Sequence, residues 1–288
     1  MFGAKLNDES ALWIDGYQMT GVSVADTSYS HSSSTANPLG YSAGVTVSNA
    51  DSAKTISITR DLLLTKKTIG SDWEDFLLQY TGLTGIMGAS INYEGGSYGF
   101  NSGYMTEYML NFAIGSIPKV TTNFAIFDSI ISGNDSSSAY PAFYDYLLPY
   151  QSACQITCDN ATSNRVVGFD YSVKINRKPI YTIGSSLAAE VESIPPLEYS
   201  ASVQIEIDDA FLQNSQNFLT NKENKNVSLS IDSDVIGVPA ITFNVPKASL
   251  VSEQLSASAD GLLKLTLNYV GHLWVKIFFI IEIEIFLE

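Results

Sequence analysis

The sequence predicts a mainly β protein built as two tandem β-sandwich or rolled-barrel domains, each with one flanking helix. Three observations lead there. Tyrosine (16) and phenylalanine (14) are plentiful, and 45% of the 288 residues are hydrophobic against 16% charged, the mixture of strands with one buried and one wet face. Short runs alternating apolar and polar residues fill most of the chain. The order of these runs recurs, strand then helix then strands, in each half. The length suits one large domain or two ordinary ones, and the reading divides it into residues 1–160, with a linker, and residues 161–288, with a C-terminal strand arm.

In the first half, Met1–Glu9 has no apolar run after a basic start, so no secretory signal is expected. Val22–Tyr29, Val45–Val47, Thr55–Arg60, Ser90–Tyr93, Tyr104–Ile114 and Thr121–Phe127 read as strands. Glu94–Gly95–Gly96 and Asn101–Ser102–Gly103 read as turns. Ser71 and Glu74 form a capping box, and Trp73, Phe76, Leu77 and Tyr80 follow at helical spacing to Gly82, which predicts a helix over 72–81. The Ser-rich stretch Ser132–Ser138 and the tyrosine-rich segment to Tyr150 read as loop and linker.

In the second half, Val166–Asn176, Ser200–Ile207, Val227–Ile231, Ala240–Val245 and Ser249–Ser258 read as strands. Asp260–Gly261 joins the last of these to Leu262–Tyr269 as a hairpin. Asp208–Asp209 opens a weaker helix over 210–219, its acids favoured at a helix start. Val22 leads to Gly40 over the same 18 residues that separate Val166 from Gly184. With the shared strand–helix–strand order, this suggests an internal duplication.

The arm Leu273–Leu287 is apolar and β-branched, yet it carries Lys276, Glu282 and Glu284 and is too short for a spanning helix, so no membrane is expected. Ile277, Phe279, Ile281, Ile283, Ile285 and Leu287 fall on one face of a strand there. Burying six such side chains is worth on the order of 10 kcal/mol before entropy. These six are the candidate assembly residues, and their partner is a sheet edge in the same chain or a neighbouring one.

Charge and motifs narrow the function. The net charge of −15 argues against reading nucleic acid, because little would neutralise phosphates. Gly95–Gly96–Ser97–Tyr98–Gly99 fits a nucleophile-elbow pattern, but a turn and a strand are expected where that motif needs a helix. No phosphate-binding glycine motif occurs. Asp232–Ser233–Asp234 and Asp208–Asp209 read as solvated acidic turns. Cys154 and Cys158 would sit roughly 13 Å apart on a strand, beyond disulfide reach, or could pair on a helical turn. Two reduced thiols in a loop is the leading reading. The only histidines, His31 and His272, are distant from them, which leaves zinc without ligands. Lys66–Lys67 and Arg177–Lys178 are pairs, not patches. Trp13, Tyr17, Tyr29 and Tyr41 are too scattered to argue a carbohydrate platform. No catalysis, cofactor or metal is expected.

Three stretches resemble the tail tube proteins of long-tailed bacteriophages. Ser163–Ile180, running on to Gly184, resembles the family's opening strand with its basic–Pro–apolar turn and glycine. Ile194–Ile207 is similar to a following strand. Gly103–Tyr108, with Ala113–Ile114–Gly115–Ser116–Ile117–Pro118, resembles a late strand and its apolar–Gly–x–apolar–Pro turn. The resemblance runs over about residues 10–270 and has no counterpart for the C-terminal arm. It implies subunits whose inner sheets join into a continuous β-barrel ring, with rings stacked through loops and arms. A two-domain chain then makes a pseudo-sixfold ring from three copies. Tape-measure protein and passing DNA would occupy the lumen without specific nucleic-acid binding, and other tail proteins would adjoin. The location implied is the virion tail, and the host cytoplasm during assembly. Acidic walls suit such a conduit because they repel phosphate. Two alternatives stay open: another ring-forming tail component (terminator, neck or baseplate hub), and a β-sandwich host- or carbohydrate-binding module.

Overall fold

The computed structural model describes residues 11–14, 17–19, 22–28, 33–36, 45–48, 54–62, 64–65, 86–93, 96–129, 131, 146–147, 154–158, 161–183, 185, 187–207, 224–232, 239–257 and 263–273. The first half holds β1 (Ala11–Ile14), β2 (Tyr17–Gln18), β3 (Val22–Ser28), β4 (Ser33–Ala36), β5 (Val45–Ser48), β6 (Lys54–Asp61), β7 (Leu64–Thr65), β8 (Ile86–Tyr93), β9 (Gly96–Ala113) and β10 (Lys119–Ile126). After β11 (Tyr146–Leu147), the second half holds β12 (Cys154–Cys158), β13 (Ala161–Ser163), β14 (Val166–Tyr181), β15 (Ala188–Glu206), β16 (Lys225–Asp232), β17 (Pro239–Ala257) and β18 (Leu263–Leu273). The fold is mainly β, as expected, and the described residues contain no helix. The segments 72–81 and 210–219, expected as helices, lie outside the described residues, as does the whole stretch Ile277–Leu287 of the expected arm.

Alternation decides which face each strand buries. Ile56 and Ile58 on β6, Val227, Leu229 and Ile231 on β16, and Leu265, Leu267 and Tyr269 on β18 enter the core. The Thr, Ser and Asn residues between them face outward. Fourteen strands form one antiparallel sheet in the order β13-β12-β16-β17-β18-β15-β14-β9-β10-β6-β3, with β8, β1 and β2 branching from β9. The branch arises because β9 changes partners along its length. Its first part pairs with β8 and its last part with β10. β17 does the same with β16 and β18. The first part of β17 therefore folds across the core face of the main sheet. Phe243 packs on Tyr171, ring centroids 5.2 Å apart, and the Tyr171 hydroxyl donates to the Asn244 carbonyl at 3.1 Å.

The two halves run through the same strand order. β3-β6-β10-β9-β8-β1-β2 corresponds, strand for strand, to β14-β15-β18-β17-β16-β12-β13. The registers agree as well. Val22 opposes Arg60 as Val166 opposes Ile205, and a bulge follows directly in both pairs. Lys119 opposes Asp61 as Lys264 opposes Glu206. Bulges also recur between Met87 and Ala89 and between Lys225 and Val227. Another pair falls opposite Asn123–Phe124 on β9 and opposite Asn268–Tyr269 on β17. Even the β4–β5 ribbon, Ser33 opposite Ser48, matches the outer end of the β14–β15 hairpin, Arg177 opposite Ser193. A bulge is a local irregularity, so its recurrence at equivalent places is much harder to reach by chance than a shared strand count.

Several sequence readings need correction. Asn101–Gly103 is not a turn: β9 runs through it, and Gly103 lets the Phe100 ring lie against the backbone. Cys154 and Cys158 lie on a strand, not in a loop, both buried on one face and neither in a disulfide. Ala240–Val245 and Ser249–Ser258 are not two strands, because 239–257 is one bent strand. Arg177–Lys178–Pro179–Ile180 does not turn; β14 continues through it to Tyr181. Within the tyrosine-rich segment read as linker, Tyr146–Leu147 pairs with Leu64–Thr65. Strand β12, at 154–158, pairs with β16.

Candidate assembly interface

The two halves meet edge to edge. The end of β9 pairs with the start of β14, from Ala113 opposite Gly168 to Glu107 opposite Lys174. Both segments alternate, so they share an outer polar face and an inner apolar one. On the inner face, Tyr108, Leu110 and Phe112 are buried. Tyr108 stacks at 6.3 Å on Phe243 and meets Tyr171 edge-on at 6.3 Å, so the second half roofs the last part of β9. Burial pushes the Tyr171 phenol well above its ordinary pKa. On the outer face, the Asn111 amide donates to Asp170, and Lys174 Nζ lies 3.8 Å from Glu107 Oε1. Beyond the ladder, Ile114 N donates to the Val167 carbonyl at 3.0 Å, and Arg177 Nε donates to the Met105 carbonyl at 3.1 Å with its guanidinium 5.6 Å from the Tyr104 ring centroid.

At the two ends of the main sheet the equivalent strands have no such neighbour among the described residues. β3 pairs only with β6, and the stretch 249–257 of β17 pairs only with β18. All of 251–257 is exposed, with Val251 66% and Leu255 61% accessible. An open edge of this length that exposes two large apolar side chains is a candidate pairing site.

The outer face of the main sheet is polar. Thr59, Thr121, Asn111, Ser172, Ser202 and Asn268 line a shallow groove there together with the apolar side chains of Met109, Val251 and Val270. Its charges are mixed, with Asp61, Glu107, Asp170, Glu198 and Glu206 set against Lys119, Lys174 and Lys264. Lys119 and Lys264 each stand opposite an acid in the ladder. A third feature is the far end of the β14–β15 hairpin. It projects past β9 and exposes Tyr181, Ile183 and Ile194, with Ile183 fully accessible.

Other residues singled out in the sequence fall elsewhere. Trp13 is buried in β1, and Tyr29, Tyr41 and His31 lie outside the described residues. His272 is exposed on β18. Burial, with Asp232 nearby, raises the Cys154 thiol to about 12. Among the described residues no group of three or more His, Cys, Asp or Glu side chains is placed to hold a metal. Sequence reasoning missed the β9–β14 junction. The signal available was the repeated Lys-x-Thr-x-Asn at Lys119–Asn123 and Lys264–Asn268, which fixes the alignment of the halves. Scanned against models of known protein families and against curated proteins, the chain matches none.

Proposed function

We propose that this chain is a non-enzymatic structural subunit that closes into rings and stacks into the tail tube of a long-tailed bacteriophage, a conduit for DNA during genome ejection. In this reading the halves are two tandem β-sandwich domains derived by duplication. Each has a flanking helix, in the stretches 72–81 and 210–219, which fall between equivalent strands. Three chains make a pseudo-sixfold ring, and the polar outer face of the main sheet lines the lumen. Tape-measure protein and DNA pass through that lumen, other tail proteins adjoin its ends, and the virion tail is its location.

The observation that carries the reading is the β9–β14 junction. Two units of one strand order are joined side by side in a single sheet, and among the described residues matching edges are left open at the ends. A unit that joins its own kind by one edge and leaves the next edge free can repeat head to tail, which makes a ring when the rotation closes. The charge of −15 and the excess of acids on the polar face suit sliding of DNA rather than binding. The exposed hairpin end gives stacked rings an apolar contact.

Negative-stain microscopy of the purified chain tests this. Tubes with a central channel and three chains per ring are expected. Single rings that never stack would favour a terminator, neck or hub component. Monomers at high concentration would overturn ring formation and favour a binding module.

A further inference from the structure

Resting on the ring reading, we propose the interface that closes the ring, residue by residue. The open edge of β17 at 249–257 pairs antiparallel with the open edge of β3 at 22–28 in a second copy, with Ala257 opposite Ala25 and Gln254 opposite Ser28.

The template is inside the chain. Superposing the halves by register makes β17 the counterpart of β9 and β3 the counterpart of β14. In the junction Phe112 opposes Phe169, Asn111 opposes Asp170, Leu110 opposes Tyr171, and Met109 opposes Ser172. The ladders with β10 and β18 place Phe112 with Ala257, Asn111 with Ser256, Leu110 with Leu255 and Met109 with Gln254. The ladders with β6 and β15 place Phe169 with Ala25, Asp170 with Asp26, Tyr171 with Thr27 and Ser172 with Ser28. The junction carried to the ends of the chain therefore gives one register and no other.

Exposure says that something belongs on this edge. Leu110 is 1% accessible and its counterpart Leu255 is 61%, although each sits opposite a buried apolar residue of its own hairpin, Val120 or Leu265. The neighbouring strand and its roof make the difference. Phe243 roofs the junction, and its register counterpart is Tyr98 on β9, half-buried and packed against the first half's core. In a second copy Tyr98 takes the roofing place over Leu255. The occupant is a second copy because, among the described residues, the strand absent beside β17 is one the chain itself presents at its other end, with β3 paired on one side only. Heterologous contacts of this kind repeat head to tail and form a ring when the rotation between copies closes.

Cysteine pairs test the register in the full-length chain. Ala25→Cys/Ala257→Cys and Ser28→Cys/Gln254→Cys fall on the two alternating kinds of antiparallel pair, so one of them has the closer approach. Oxidation with copper phenanthroline should give a ladder of covalent multimers ending at the closed ring for at least one pair. The offset pair Ala25→Cys/Ser256→Cys and the four single variants should give none, since Cys154 and Cys158 are buried. Leu255→Glu alters a side chain exposed in the single chain, and should leave its melting temperature unchanged while abolishing assembly. Rings or tubes without a ladder in either matched pair would overturn this register and leave the tube reading standing. A ladder with single rings would keep the register and overturn the tube. A ladder that forms only after residues 274–288 are removed would assign the β17 edge to the chain's own C-terminal segment and overturn the proposal. So would a Leu255→Glu chain that still assembles.

Discussion

Leu110 and Leu255 occupy the same position in the two halves of the chain, each opposite an apolar residue of the next strand, yet one is buried and the other is 61% accessible. The difference has an energetic consequence. Leu110→Ala empties a buried site between its cross-strand partners Val120 and Tyr171, and should cost about 2–5 kcal/mol in denaturant unfolding. Leu255→Ala should change the stability of the dissociated chain by less than about 0.5 kcal/mol. Equal losses would mean that the second edge is covered in the single chain.

Gly271 on β18 lies against the Pro246 carbonyl and the Val245 side chain, so an added Cβ would meet backbone that cannot swing aside. Gly271→Ala should lower stability by about 1–3 kcal/mol and shift the melting temperature down by several degrees. Ala at Gly115, where the surroundings are open but φ is +76°, should be destabilising through backbone strain alone, by about 1 kcal/mol.

Burial of Cys154 predicts both reactivity and pH behaviour. With its thiol raised to about 12, it should react with a thiol-specific reagent at pH 8 only as fast as the protein opens, and rapidly in denaturant. Because the native pKa lies above the ordinary value of 9.0, the unfolded chain releases this proton first. The stabilising contribution is whole below about pH 9 and falls as pH rises toward 12. The buried phenol of Tyr171 and the half-buried one of Tyr199, also raised by desolvation, add loss of the same sign. Arg60, buried and lowered to about 10, opposes them. Alkaline unfolding titrations of wild type and Cys154→Ala should differ above pH 9 and run parallel below it.

The hairpin end offers a test of stacking apart from ring closure. Ile183→Ser removes an apolar side chain that is fully accessible in the single chain, so its melting temperature should stay within about 2 °C of wild type. Tube length in micrographs should fall while ring diameter stays the same. Unchanged tubes would remove this tip from the stacking contact.

Periodicity made most strands legible. Thr55–Arg60 and Val227–Ile231 alternate so regularly that only one face could be buried. The long strands were harder. Asn101–Ser102–Gly103 carries turn residues, but the Phe100 ring and the pairing with β8 and β10 hold it extended, a tertiary effect that local chemistry does not announce. The bend in β17 likewise looks like a break in the sequence, because Pro246 and Lys247 interrupt the alternation there; in the structure the strand continues through them with Lys247 at a positive φ. The pairing of Asn111 with Asp170 joins residues far apart in the sequence, and no window along the chain contains both.

Tyr108 has Glu253 as its counterpart on the other edge. In the proposed ring, joining two duplicated units in one polypeptide would keep one of every two lateral contacts permanently made, at an effective concentration that no dilution reduces. That contact never has to survive alone in water, so it can carry an aromatic ring and pack like a protein interior. The other must wait in solution for a partner, and a carboxylate beside Leu255 acts as a gatekeeper against indiscriminate strand addition. Duplication thus frees one interface for permanence and leaves the other to govern when assembly begins.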